Sequence, residues 1–158
     1  MIINGKHLLD AAPIKDMLTE KVRGQITSHG LAEAGYDIRI KQDVLFKPHH
    51  DRMTVNGQPG SFTLASAIEE FQMPHNLVGV VHDKSTWARK GLSVLNTILE
   101  PGWKGWLTLE LLYHGREEVF IPAGSGIAQV LFHQIAIQSS YDGKYQNQPD
   151  KPVEAIDG

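Results

Sequence analysis

In the run Trp106-Leu107-Thr108-Leu109-Glu110-Leu111-Leu112, one carboxylate interrupts an apolar stretch of strand-forming length. In an extended chain Leu107, Leu109 and Leu111 share one face, while Trp106, Thr108 and Glu110 share the other. Glu110 then has two readings. It is either a charge on a solvated strand face, or an acid held in a pocket. Burial in a pocket raises a carboxyl pKa and suits it to general acid/base work near neutral pH. A second chemical segment is Asp83-Lys84-Ser85-Thr86-Trp87-Ala88-Arg89-Lys90-Gly91, which reads as one or two helical turns. Asp83 or Ser85 would start them and Gly91 would stop them. Free N–H groups at such a start, beside Lys84 and Arg89, form a phosphate cradle; the plain alternative is a solvated surface turn.

Metal chemistry finds less support. His49-His50-Asp51 has ligand types, but adjacent histidines point apart on most backbones and no further ligand is spaced to join them. His7, His29, His75, His82, His114 and His133 are scattered and form no HExxH pattern. With 0 cysteines there is no disulfide, thiol nucleophile, iron–sulfur cluster or Cys-containing zinc site. No protein-ligated metal is expected.

The elements that must position these residues belong to a chain of 158 residues, a length that points to one domain with a sizeable core. A formal charge of -3 argues against a nonspecific nucleic-acid binder, which works through a basic field. MIINGKHLLD lacks the basic and apolar segments of a secretory signal, and no apolar run approaches membrane-spanning length. A cytoplasmic protein is expected.

A short helix is predicted over Asn4–Leu18, broken near Pro13. Strands are predicted over Tyr36–Ile40, Val44–Phe46, Met53–Val55 and Ser61–Leu64, with Asn56-Gly57 and Pro59-Gly60 as turns. Leu77–Val81, Leu92–Leu99, Trp106–Leu112, Glu118–Ile121 and Ile127–Ile137 complete the set. Strand-length runs separated by turn signals indicate an all-β barrel or sandwich. From Ser139 the tail turns polar and reads as a mobile arm.

Five ordered pieces carry a family resemblance. Lys84-Ser85-Thr86-Trp87-Ala88-Arg89-Lys90-Gly91-Leu92 and Glu100-Pro101-Gly102-Trp103-Lys104-Gly105, running on through Glu110, are joined by Ala34-Gly35-Tyr36-Asp37-Ile38-Arg39-Ile40 upstream. Gly126-Ile127-Ala128-Gln129-Val130-Leu131-Phe132 and an arm with Tyr141 and Lys144-Tyr145-Gln146-Asn147-Gln148 follow. Together they resemble dCTP deaminase, in its short phage and bacterial form, within the trimeric dUTPase-like superfamily. The resemblance implies a mainly β, distorted jelly-roll or β-clip barrel with a short N-terminal helix. It also implies that 1–158 is a single domain whose arm, 139–158, closes as a lid.

For function it implies hydrolytic deamination of dCTP to dUTP and ammonia, feeding dUMP and dTTP synthesis. Glu110 would activate water, with Ser85 ordering it and Arg89 stabilising charge. Zinc deaminases need cysteine ligands, so the water would be activated without protein-bound zinc. Lys84, the backbone of Ser85, Thr86, Trp87 and Ala88, and Lys144 would meet the triphosphate, with Mg²⁺ riding on its oxygens. Thr108 and Leu109 would face the pyrimidine edge, Glu100 the deoxyribose, and Asn96 or Thr97 the attacking water. Trp103 joins the substrate-binding set, and Tyr141 and Gln148 would close over the nucleotide. Homotrimers with shared sites are implied, located in the host cytoplasm if the chain is phage-encoded, and dTTP is a candidate inhibitor.

Two features depart from the family pattern: Glu100 replaces its usual Asp, and the segment from Leu92 to Glu100 is short. Two alternatives stay open. One is dUTP cleavage, alone or joined to deamination, releasing dUMP and pyrophosphate; the other is an idle nucleotide-binding trimer.

Overall fold

Pro13 limits the N-terminal helix. The computed structural model describes residues 1–47 and 61–158. After a two-residue strand, β1 (Ile2–Ile3), helix α1 covers Gly5–Ala11 and stops well short of the expected Leu18. Proline lacks an N–H and disfavours helix in the residue before it. Ala12 closes the helix in the left-handed region at φ 45°, and its N–H bonds to the Leu8 carbonyl at 3.1 Å. Beyond the proline, Ile14 bridges to Phe71 in the core.

The strands that follow are β2 (Lys21–Val22), β3 (His29–Leu31), β4 (Tyr36–Arg39), β5 (Val44–Phe46) and β6 (Ser61–Gln72). Next come β7 (Leu77–Asp83), helix α2 (Ser85–Ala88), β8 (Leu92–Val94) and β9 (Ile98–Leu99). The last strands are β10 (Lys104–Tyr113), β11 (Val119–Ile121) and β12 (Gly126–Gln134). The His49-His50-Asp51 turn, the Met53–Val55 strand and the Asn56-Gly57 and Pro59-Gly60 turns lie outside the described residues.

One sheet runs in the order β2-β3-β4-β12-β7-β9, with β1 also on β12; a second is β6-β10-β8, and β11 pairs β5. The pairings between these described strands are antiparallel. Between the sheets Tyr36, Ile38, Phe71, Leu109, Leu111, Ile127 and Phe132 form one continuous buried core. The mainly β, barrel-like sandwich anticipated from the strand-length runs is the fold found.

Two differences from expectation matter for the site. The expected strand Leu92–Leu99 is two strands, because the chain leaves β10 after Val94 and joins β7 at Ile98. The expected strand Ser61–Leu64 continues to Gln72 as the long partner of β10. Register jumps from Trp106↔Glu70 to Thr108↔Ser66, so β6 carries two more residues than β10 across that bulge.

A buried charged cluster supports the β3–β4 end. Arg39 donates through Nε and its backbone N–H to the Glu69 carboxylate, each at 2.8 Å. His29 lies beside them, with Nδ1 buried and unpartnered among the described residues. Burial pushes its pKa below 6.5, and Arg39 and Lys84 act the same way, against Glu69 and Asp37. The folded state therefore holds a neutral ring that the unfolded chain protonates more readily. That contribution to stability is present above about pH 6.5 and is lost as pH falls below it. The denaturation midpoint should drop between pH 7.5 and 5.5, and the drop should be smaller in His29→Gln. An equal drop in both proteins would remove His29 from the account.

Candidate active site

The site begins where the chain changes sheets. Leu95–Thr97 crosses from β8 to β9, so along Thr108–Glu110 strand β10 keeps β6 on one edge and has no strand on its β8 edge. The Asn96 side chain fills that gap: Nδ2 donates to the Thr108 carbonyl at 2.7 Å, and Oδ1 accepts from the Glu110 N–H at 2.9 Å. Leu95 N–H donates to the Glu110 carbonyl at 2.8 Å, and Val81 N–H reaches the Thr97 carbonyl at 3.0 Å. The Glu110 backbone is therefore held at both its N–H and its carbonyl. Its side chain is half-buried, and its carboxylate has no hydrogen-bond or ion-pair partner among the described residues.

Glu110 lines a cavity of about 390 Å³, of the order that small ligands occupy. Asn96, Thr97, Glu100, Trp103 and Thr108 share the lining, as do Tyr141 and Gln148 from the arm. Eight of the expected site residues are thus gathered around one space. Phe62, Leu64, Val81, Leu99 and Leu107 give it an apolar wall that sequence reading did not assign to the site. The expected alternation in β10 holds for Leu109 and Leu111, which point into the core, while Leu107, next to the bulge, is buried but borders the cavity. Thr108, on the opposite face, is nonetheless buried, because the arm covers it.

The turn Glu100-Pro101-Gly102-Trp103 is the docking platform for that arm. Pro101 precedes Gly102 at φ 75°, and the Trp103 N–H returns to the Glu100 carbonyl at 3.1 Å, the pattern of a type II turn. Tyr141 N–H donates to the Pro101 carbonyl at 2.7 Å, and the Trp103 indole N–H donates to the Tyr145 carbonyl at 2.6 Å. Gln146 accepts from Lys104 N–H and donates to the Gly102 carbonyl. Gly105, at φ 130°, pairs with Gln148 as a short parallel bridge. A Cβ on Gly105 would lie 2.6 Å from the Gln148 backbone nitrogen and oxygen, so only glycine admits this approach.

Gln148 Oε1 then accepts from the Thr108 N–H at 3.3 Å and its hydroxyl at 3.2 Å, and Val153 N–H donates to that hydroxyl oxygen at 3.0 Å. Val153, Glu154 and Ala155 bring the tail to the cavity edge, and Tyr145 lines it too. Tyr145 belongs to the arm motif, but nothing in its spacing marked it for the site. Lys144 does not reach the cavity: it donates to the Ile156 carbonyl and lies over the Tyr145 ring at 5.5 Å.

The second expected cluster lies apart from this cavity. Ser85, Thr86, Ala88 and Arg89 are exposed on and beside α2, and none of them lines the space around Glu110. Trp87 is 1% exposed, packed in the core with its indole N–H on the Gly126 carbonyl at 2.8 Å. Its side chain serves α2, leaving its backbone alone for any ligand. Lys84 is paired with the buried Asp37, whose other oxygen accepts from Gln129 Nε2 at 3.1 Å. The Leu109 side chain is fully buried and faces away from the cavity.

Comparison with known proteins places the chain in a family. A family model described as dCTP deaminase-like matches residues 48–135. The dCTP deaminase of Roseiflexus castenholzii is 36% identical, with 85% of this chain and 86% of that one aligned. That of Campylobacter fetus is 34% identical, with 85% of each chain aligned. A native dUTPase structure from EIAV superposes with a TM-score of 0.55 at 19% identity, covering 85% of this chain and 92% of that one. At that identity the superposition speaks for the fold alone. With more than half its length matched by the family model and relatives above 30% identity along most of the chain, the protein belongs to the dCTP deaminase family, on a dUTPase-like fold.

Proposed function

We propose that the protein hydrolyses dCTP to dUTP and ammonia, with Glu110 as the acid/base group. The observation that carries this is the Glu110 carboxylate, unpartnered among the described residues, on a cavity of about 390 Å³, its backbone clamped by Asn96 and Leu95. Water held between Glu110 and C4 of cytosine loses a proton to the carboxylate as its oxygen bonds to C4. The proton passes to N3, and the second water proton moves by way of Glu110 to the amine. The C4–N bond then breaks, ammonia leaves, and the water oxygen remains as the uracil carbonyl. Such proton transfer is worth roughly 10²–10⁴-fold, so positioning and charge stabilisation must supply the rest.

Ser85 and Arg89 supply those contributions from a neighbouring protomer. Their exposure on a segment apart from the Glu110 cavity supports a site shared across an interface of a homotrimer. Thr108 and Leu109 backbone groups, with Thr97, serve the base and the water; Glu100 and Trp103 serve the sugar. Thr86 serves the triphosphate, as do Lys84 and Lys144 once Asp37 and the Ile156 carbonyl release them. Mg²⁺ would be held by the triphosphate oxygens rather than by a cluster of side chains. When bound there, Mg²⁺ neutralises phosphate charge. The arm acts as a lid, its Gln148 and Tyr141 closing over the nucleotide.

Glu100 lines the same cavity as Glu110, which favours a second reading in which phosphate cleavage follows deamination. One assay separates the two: incubation with dCTP and Mg²⁺, resolving nucleotides and measuring ammonia together. Ammonia with accumulating dUTP is the expected result. Ammonia with dUMP and pyrophosphate would establish the bifunctional enzyme. No ammonia would overturn the proposal.

A further inference from the structure

We infer that Asn96 is a positioning residue for the Glu110 carboxylate, acting through the strand backbone rather than on the base. The inference rests on the deamination reading above. When the chain crosses from β8 to β9, the Thr108 carbonyl and the Glu110 N–H lose the partners a continued β8 would have given them. Buried backbone groups left so are costly. An amide supplies one donor and one acceptor in a single plane, and Asn96 directs one to each group, at 2.7 and 2.9 Å. Its side chain thus stands in for a peptide unit of the missing strand. The two groups it bonds flank Leu109, so the clamp fixes the turn of backbone from which the Glu110 side chain departs. Val81 N–H on the Thr97 carbonyl anchors the far end of the crossing, at 3.0 Å, to the other sheet. Asn96 therefore ties the catalytic strand to β7.

Other side chains fail at this place for definable reasons. Aspartate offers acceptors only, so it satisfies the Glu110 N–H but opposes the Thr108 carbonyl. It also brings a second negative charge close to the Glu110 carboxylate. Serine is too short to span both groups, and alanine leaves both unmet. The other titratable groups on the cavity are Glu100, Glu154, Tyr141 and Tyr145, none of which these substitutions change.

The test uses Asn96→Ala and the near-isosteric Asn96→Asp in the full chain. In Asn96→Ala, kcat for dCTP should fall roughly 10–100-fold with KM moved less than about threefold, because misplacing a reacting group penalises the chemical step. In Asn96→Asp, the acidic limb of the kcat–pH profile should move to higher pH, since a nearby like charge favours the protonated acid. In both, without nucleotide, hydrogen–deuterium exchange should quicken in the peptide covering β10. A raised KM with unchanged kcat would mean direct base contact and overturn the inference, as would unchanged exchange. If the unmodified enzyme releases no ammonia from dCTP, the reaction reading falls and takes the catalytic half with it. The exchange measurement still decides the clamp.

Discussion

Glu110→Gln is expected to slow dCTP deamination by at least about two orders of magnitude while leaving dCTP affinity within a few-fold. Glutamine keeps the shape and the cavity lining but has no site that takes up a proton near neutral pH. The carboxylate has no hydrogen-bond or ion-pair partner among the described residues, so the exchange orphans none of them. Fold and thermal midpoint should therefore stay close to those of the parent, and the loss should appear in kcat. Single-turnover ammonia release together with calorimetric binding of dCTP checks both halves. Near-normal turnover in this variant would remove Glu110 as the acid/base group.

Co-expressing Arg89→Ala with Glu110→Gln should restore activity that neither variant has alone. Arg89 is exposed beyond α2, and Glu110 faces a cavity to which Arg89 contributes nothing. If each site takes Glu110 from one protomer and Arg89 from its neighbour, random assembly of equal pools leaves about a quarter of the sites intact. Mixed protein should then show about a quarter of parental activity, against about 1% or less for each variant alone. Mixed protein no more active than the separate variants would mean that each site is built within one protomer, and the shared-site reading would fail.

The strands legible in the sequence were those whose own residues carry the period. Leu77–Val81 and Trp106–Leu112 are dense in strand formers, and each appears in the fold with at most a few residues added at its ends. The long β6 was legible only at its start. Ala65-Ser66-Ala67-Ile68-Glu69-Glu70 has little local strand preference, and pairing with β10 and burial against Arg39 decide its state. Pro13 signalled a break, but the left-handed turn at Ala12 that ends α1 a residue earlier had no such mark.

The site divides in the same way. Residue types and order pointed to the segments that hold Glu110, Ser85 and Arg89, and those segments fall within the residues the family model matches. Interactions between distant positions were not legible. Asn96 meeting Thr108 and Glu110, Gln148 meeting Gly105, and Val153 meeting Thr108 join side chain to backbone across segments with no shared period. The tie of Lys84 to Asp37 was hidden for the same reason, although both residues lay in recognised motifs.

The position of β12 also orders the life of the chain before it is an enzyme. It is the last strand made, yet it lies at the centre of its sheet, against β4 and β1 on one edge and β7 on the other. Arg39 pairs with Gly126, so β4 must wait for roughly 90 further residues to emerge. At ribosomal rates of roughly 5–20 residues per second, that is about 4–18 s with unpaired edges exposed. Glu110 and Ser85 both leave the ribosome within this interval, so the nascent polypeptide carries its proposed chemistry before it has a shape to hold it. Until β12 arrives, the edges of β4 and β7 are the part of the molecule that chaperones, or neighbouring nascent chains, would meet first.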